Sequence, residues 1–213
     1  MNVNNKSKLR GANVGLLGLL LLGGCAMITP KEKQQLAPPL GSTWVMARSD
    51  SGSFGSEKVR VAFKRGERIW NGEHVITFDS PGSTSLAHDN GRLVALVSGD
   101  KLLMSFEPDL GFARPLEVGH ASIGSYRMTI PGQEQSVHLL VTQKVVAYEE
   151  VKVPAGTFKT YKIIWSESNG NEDTYWMSPE LGICVKSILR RTAEHTAGPG
   201  TREDELVSYS IAK

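Results

Sequence analysis

The feature that most constrains the fold is an alternation of apolar and polar residues with a period of two, from Thr43 onward. Val59, Val61 and Phe63, for example, alternate with lysine and arginine. Such a strand should bury one face and expose the other. Turn residues recur about every eight to twelve positions, which is typical of an antiparallel meander. The sequence therefore predicts an all-β fold: a single curled antiparallel sheet, as a half-barrel or open-barrel meander, with little helix beyond the leader.

Glycine and asparagine mark where the predicted strands turn. Asn71-Gly72 is the strongest hairpin signal, because both central positions of a tight two-residue turn favour φ above zero. Asn169-Gly170-Asn171 predicts a second turn. Two segments break the alternation and predict loops instead: the Gly- and Pro-rich segment 108–124, and the polar segment 193–204.

The first 24 residues have the layout of a secretory signal. Lys6, Lys8 and Arg10 form a basic start, and the apolar run Val14 to Leu22 is too short to span a bilayer. The alternative is an uncleaved apolar helix, but the run has no amphipathic face. A soluble exported protein is the other alternative, although its small-x-small cleavage box is not clearly present.

Leu22-Gly23-Gly24-Cys25 resembles the lipobox of bacterial lipoproteins. The resemblance implies that Cys25 becomes the first mature residue and carries acyl chains such as palmitate, which would attach the protein to a membrane. Because Ala26 follows rather than aspartate, the resemblance implies the outer membrane, with the protein facing the periplasm. We therefore expect a signal peptide over 1–24, a lipidated tether over 25–40 and an antiparallel β domain over 41–213.

Three sequence patterns in the second half of the chain resemble a known group of proteins. They are V-P-A-G-x-F at 153–158, Y-W-x-S-P-x-x-G-x-x-V-K at 175–186 and E-L-V-S-Y at 205–209. They are similar to patterns in bacterial periplasmic β-sheet proteins and lipoproteins of unknown function. The resemblance implies a curled antiparallel sheet and no transferable activity. Ser122 stands where such proteins often have tryptophan.

The sequence contains no recognisable catalytic, metal or cofactor site. The five histidines have no paired spacing that would suggest metal ligands. Gly119 to Gly124 comes nearest to a nucleophile elbow, but its serine is one position too late. We therefore expect no enzyme activity, no metal and no cofactor. A hydrolase with an unrecognised site would depend on Ser122 or His120.

Cys184 is the only cysteine outside the lipobox. Simple alternation places it on the same strand face as Lys186, and a nearby cation lowers the pKa of a thiol. A packed, inert cysteine is the alternative.

Charge excludes one class of partner. Three of the 24 lysines and arginines lie in the leader, which leaves 21 against 22 acidic residues. A nearly neutral domain without a basic stripe is not expected to bind nucleic acid.

The interpretation that these features favour is a non-catalytic, membrane-anchored envelope protein that binds an apolar ligand or a protein partner on its curved sheet. The predicted lining consists of Trp70, Phe78, Phe106, Trp165 and Trp176; the alternative is that these aromatic residues only form the core. A structural or accessory role in envelope assembly, with a sheet edge or the segment 108–124 as contact surface, also stays open.

Overall fold

The computed structural model describes residues 37–213, and these form twelve β-strands. The predicted signal peptide, Cys25 and most of the predicted tether lie outside the described residues. No helix in the described part is long and apolar enough to cross a membrane. The strands are β1 (Thr43–Gly52), β2 (Lys58–Trp70), β3 (Glu73–Ser80), β4 (Ser83–Ala87), β5 (Leu93–Ser98), β6 (Lys101–Leu110), β7 (Ala121–Thr129), β8 (Val137–Val153), β9 (Gly156–Glu167), β10 (Asn171–Ser178), β11 (Ile183–Arg191) and β12 (Gly200–Ser210).

Every strand pairs antiparallel with the next one in the chain, and β12 returns to pair with β1. The prediction of an all-β fold built on one antiparallel sheet is confirmed. The sequence left open whether the sheet closes, and it does, through a ladder from Thr43↔Ser210 to Gly52↔Gly200. Closure pairs both edges of the sheet, so neither offers an unpaired row of backbone groups to another chain.

The hairpin between β2 and β3 has the predicted geometry. Asn71 and Gly72 have φ angles of 50° and 85°. Two successive positive φ angles give the turn a twist that matches the strands it joins. Asn71 is the only residue other than glycine with a positive φ in the described part of the chain.

The predicted loop over 193–204 is too long, because β12 already begins at Gly200. The polar residues that suggested a loop are paired with β1. Arg202 binds both carboxylate oxygens of Asp50, at 2.8 and 2.7 Å. Arg48 binds both oxygens of Asp204, at 2.8 and 3.2 Å. The two ion pairs lie side by side across the β1–β12 seam that closes the barrel.

The predicted loop over 108–124 is also longer than the real one. β6 runs to Leu110 and β7 begins at Ala121, so only residues 111–120 connect the two strands. Proline did not end β6 as expected: Pro108 lies within the strand. A proline can lie in a strand where its missing N–H is not needed for pairing, and β6 stops pairing with β7 after Glu107.

Candidate ligand-binding cavity

The wall of the barrel is weakest between β6 and β7. Only three residue pairs join these strands, from Ser105↔Thr129 to Glu107↔Arg127. The 111–120 connection then turns inward instead of covering the surface. The Phe112 ring packs edge-on against the rings of Trp165 and Tyr175, with ring centroids 5.5 and 5.2 Å away. Leu116, further along the connection, is 1% exposed. Phe112 and Leu116 therefore belong to the core, whereas Pro115 and residues 117–119 stay exposed.

A cavity of about 290 Å³ lies between this connection and the strands on either side of the seam. Aromatic, methionine and isoleucine side chains supply most of the wall, and the polar groups are few. The lining consists of Trp44, Met46, Phe63, Phe78, Gly91, Phe112, Arg114, Met177, Gly182, Ile183, Cys184, Ser187 and Asp204. A mostly apolar concavity with a few polar groups is the usual form of a small-molecule site.

The two charged groups in the lining differ in their surroundings. The Asp204 carboxylate is bound on both oxygens by Arg48, so its charge is balanced. Arg114 has no hydrogen bond or ion pair to any residue of the described part, 37–213. Burial alone lowers the pKa of Arg114, with no carboxylate beside it to raise it. Arg114 is therefore the cavity's one cation without a protein counter-charge among the lining residues.

Residues 111–114 separate this cavity from a smaller one. Phe112 and Arg114 face the large cavity, whereas Gly111 and Ala113 face a space of about 190 Å³ behind the β6–β7 gap. The Ala113 backbone N–H donates to Gln143 Oε1 at 2.9 Å, which fixes the segment in place. Residues 111–114 thus form a partition between the two cavities.

The five aromatic residues predicted as a lining do not form one surface. Phe78 lines the large cavity. Phe106 and Trp165 pack together in a core cluster around Tyr126, and Trp165 lines the smaller cavity. Trp70 belongs to a separate cluster formed by β2, β3, β4, β5 and β6.

Trp176 lies on the other face of β10 from Met177, which lines the cavity. Its ring is flanked by the ammonium groups of Lys162 and Lys186, 5.2 and 5.9 Å from the ring centroid. Its Nε1 donates to Glu149 at 2.9 Å. Cations over the face of an aromatic ring are attracted by its quadrupole. Trp176 therefore stabilises the fold through these contacts and does not line the cavity.

Sequence reasoning missed Phe112 and Arg114. Both lie in a segment whose proline and glycine residues predicted a loop, and loops normally run over the surface. The sequence offered no signal that this connection would enter the barrel.

The hypothesis that Lys186 activates Cys184 is wrong. A β-bulge on β11 makes Cys184 pair with Met177 and Lys186 pair with Trp176. The bulge therefore places the two side chains on opposite faces. Burial raises the pKa of Cys184 to about 12, and its thiol donates to the Lys186 carbonyl at 2.8 Å. The alternative, a packed and unreactive cysteine, describes this residue.

Asp173, on β10 opposite Trp165, is the other buried acid of the interior. Its Oδ2 accepts from the Tyr175 hydroxyl at 2.9 Å and its Oδ1 accepts from the Arg190 backbone N–H at 3.1 Å. Burial outweighs these hydrogen bonds and raises the pKa of Asp173 to about 6.

This pKa predicts that Asp173 destabilises the fold at neutral pH. The native state holds the proton more tightly than the unfolded state, so the stability that protonation contributes is fully present below about pH 4. It is lost as the pH rises through 6, and the loss amounts to about 3 kcal/mol. Asp173→Asn should remove this dependence, because an amide stays neutral and can still accept from Arg190. We expect urea unfolding at pH 4, 5, 6 and 7 to show the variant gaining stability relative to wild type as the pH rises. If the difference in free energy of unfolding between the variant and wild type does not change with pH, this would contradict the raised pKa of Asp173.

Comparisons with known proteins give structural matches only. No protein-family model and no curated protein matches the sequence. A predicted exported protein with YmcC-like fold from Bacteroides fragilis covers 84% of this chain over its full length, at 12% identity and a TM-score of 0.48. A predicted lipoprotein from Parabacteroides distasonis has the same coverage and identity and a TM-score of 0.45.

The hypothetical lipoprotein YmcC from Escherichia coli matches 81% of this chain with 86% of its own, at 15% identity and a TM-score of 0.43. These are proteins of the kind that the sequence patterns resemble. Identities this low carry no conclusion about a shared function. Within residues 37–213, no group of three or more His, Cys, Asp or Glu side chains is placed to hold a metal ion.

Proposed function

We propose that this protein is an exported, lipid-anchored protein of the cell envelope, without catalytic activity, that binds an apolar ligand inside its barrel. The observation that carries the proposal is the cavity of about 290 Å³ with its mostly apolar wall. Removing apolar surface from water is favourable by roughly 25 cal/mol per Å². A molecule that displaces water from such a wall therefore gains affinity without specific polar contacts.

The size of the cavity limits the ligand. An apolar cavity of about 150 Å³ takes up one benzene molecule. The cavity here has about 290 Å³, so it can hold an apolar group of on the order of ten to twelve carbon atoms. A single medium-length acyl chain fits this description, whereas a whole two-chain phospholipid does not.

The lipid anchor would place the barrel where such molecules occur. Acyl chains on Cys25 would attach the protein to a membrane, by our proposal the outer membrane with the barrel in the periplasm. Fully extended at about 3.3–3.6 Å per residue, the tether over residues 25–40 reaches roughly 50 Å. The barrel can therefore stay near the membrane surface while remaining outside it.

A protein partner is the second candidate, and one surface feature favours it. Ile123 on β7 and Leu140 on β8 are 74% and 51% exposed. Ile123 pairs with Thr142, two residues from Leu140, so the two side chains are diagonal neighbours on one face. Adjacent exposed apolar side chains are a feature of contact surfaces.

Ser187→Leu tests the cavity as the binding site. Ser187 lines the cavity, and a leucine there should occupy part of the space without adding charge. We expect wild-type protein to bind the uncharged probes N-phenyl-1-naphthylamine and dodecanol, and the variant to bind them at least about tenfold more weakly. Fluorescence titration and competition measure both affinities.

The matched control is Ser98→Leu, the same replacement at an exposed position on β5, away from Ile123 and Leu140. It should leave probe binding unchanged, and melting curves should show both variants folded. Wild-type protein that binds neither probe, or equal binding by Ser187→Leu, would refute the proposal.

A further inference from the structure

Arg114 is the first of two observations about the cavity that apolar binding leaves unexplained. It lines an otherwise mostly apolar wall, and no residue in the described part of the chain provides it with a hydrogen bond or a counter-charge. A cation removed from water is costly unless it is paired. Arg114 is half-buried and its nitrogens are not among the fully buried, unpartnered atoms of the described residues, so they are available to an anion that a ligand brings into the cavity.

The second, independent observation concerns the buried side chain of Arg65. It is 8% exposed, and its Nε and Nη1 are buried without a hydrogen-bond partner. It stands directly opposite Phe78 and two residues after Phe63, so it shares a strand face with two residues that line the cavity. Arg65 is not a lining residue, but its guanidinium, with two buried and unpartnered nitrogens, lies on the same strand face as the cavity wall that holds Arg114.

The acidic residues near these two arginines contact other side chains. Asp204 is bound on both oxygens by Arg48. Glu67 and Asp89 attract Arg65 electrostatically without a hydrogen bond to it, and both also lie beside His74, at 3.4 and 3.8 Å. The described residues therefore give Arg114 no counter-charge, and they give Arg65 two carboxylates that attract it without a hydrogen bond.

We propose that the natural ligand is an anionic amphiphile, whose apolar chain fills the cavity and whose carboxylate or phosphate is bound by Arg114, with Arg65 adding a second positive charge. This inference rests on the proposed function, because it specifies the chemical class of the ligand for the same cavity. A planar guanidinium suits both anions, since it donates two parallel hydrogen bonds to a pair of oxygens.

Three probes with the same twelve-carbon chain test the proposal: dodecanol, dodecanoate and dodecyl phosphate. Competition against N-phenyl-1-naphthylamine should show that at least one of the two anions binds wild-type protein more than about tenfold more tightly than dodecanol does. Tighter binding of dodecanoate points to a fatty carboxylate, and tighter binding of dodecyl phosphate points to a phosphate headgroup; either result supports the proposal.

Arg114→Gln should weaken binding of the preferred anion by about 10- to 100-fold, since a charge-assisted pair is lost. Binding of dodecanol should change less than about threefold. Arg65→Gln should act in the same direction with a smaller effect. The matched control, Arg60→Gln, removes a charge at an exposed position of β2 and should change neither affinity.

Arg114→Lys keeps a positive charge in a similar volume and should restore a large part of the anion affinity. It also provides a folded comparison if Arg114→Gln proves unstable in melting experiments. Dodecanol binding as tightly as both anions, or an Arg114→Gln protein with unchanged preference for the anion, would overturn this inference and leave the apolar site intact. If wild-type protein does not bind dodecanol at all, that result would instead overturn the proposed function.

Discussion

Replacement of Trp165 by alanine is expected to lower the free energy of unfolding by about 3–5 kcal/mol. Trp165 is 5% exposed and packs against Phe112 and Tyr175, with ring centroids 5.5 and 6.5 Å away. Its Nε1 donates to Glu167 at 3.0 Å. The variant therefore loses a large buried ring and leaves a void where the inward connection meets the barrel wall.

Two further variants separate the causes of this loss. Trp165→Phe keeps an aromatic ring and loses the hydrogen bond to Glu167, so we expect a loss of about 1–2 kcal/mol. Trp70→Ala should cost less than Trp165→Ala, because Trp70 is only partly buried. Urea unfolding measures the free energy of unfolding of all three variants, and the slope of this free energy against urea concentration should stay unchanged. Equal losses for Trp70→Ala and Trp165→Ala would contradict the assignment of Trp165 to the buried core cluster around Tyr126.

Tight hairpins and alternating strands were predictable because their signals are local. The Asn71-Gly72 turn depends on two residues that accept positive φ, and the structure has these angles. On β2, Val61 and Phe63 are half-buried, as alternation with a period of two predicts, but Val59 is 43% exposed, so the prediction is wrong at the start of this strand. Such features require no knowledge of distant parts of the chain.

Barrel closure was not predictable, because it depends on residues about 150 positions apart. Asp50 pairs with Arg202 and Arg48 pairs with Asp204 only after β12 has returned to β1. A charged strand resembles a loop when its partner is unknown. The same limit applies to Cys184, since one bulged residue on β11 reverses the face on which a side chain lies.

The cavity was the least predictable part. Its wall combines strands from both ends of the chain with Phe112 and Arg114, which come from the connection between β6 and β7. Of the five predicted aromatic residues, Phe78 is the one that lines it. Composition indicates which residues avoid water, but tertiary packing decides which of them face a cavity and which face each other.

Cys25→Ser is expected to move the protein from the membrane fraction to the soluble fraction almost completely. A serine cannot form the thioether that would hold the first acyl group. The remaining apolar run, Val14 to Leu22, is too short to span a bilayer. The expected shift is large because stable anchoring requires more than one acyl chain. The variant lacks the sulfur to which the first of these chains would be attached.

Cys184→Ser is the matched control, since it replaces the only other cysteine of the sequence. That side chain is half-buried and lines the cavity of the barrel, so it has no role in anchoring and the variant should stay with the membrane. Salt-washed membranes, immunoblotting and the mass of the amino-terminal peptide provide the measurements. A Cys25→Ser protein retained as fully as wild type, or a wild-type amino-terminal peptide with an unmodified Cys25, would show that something other than acyl chains on this sulfur holds the protein.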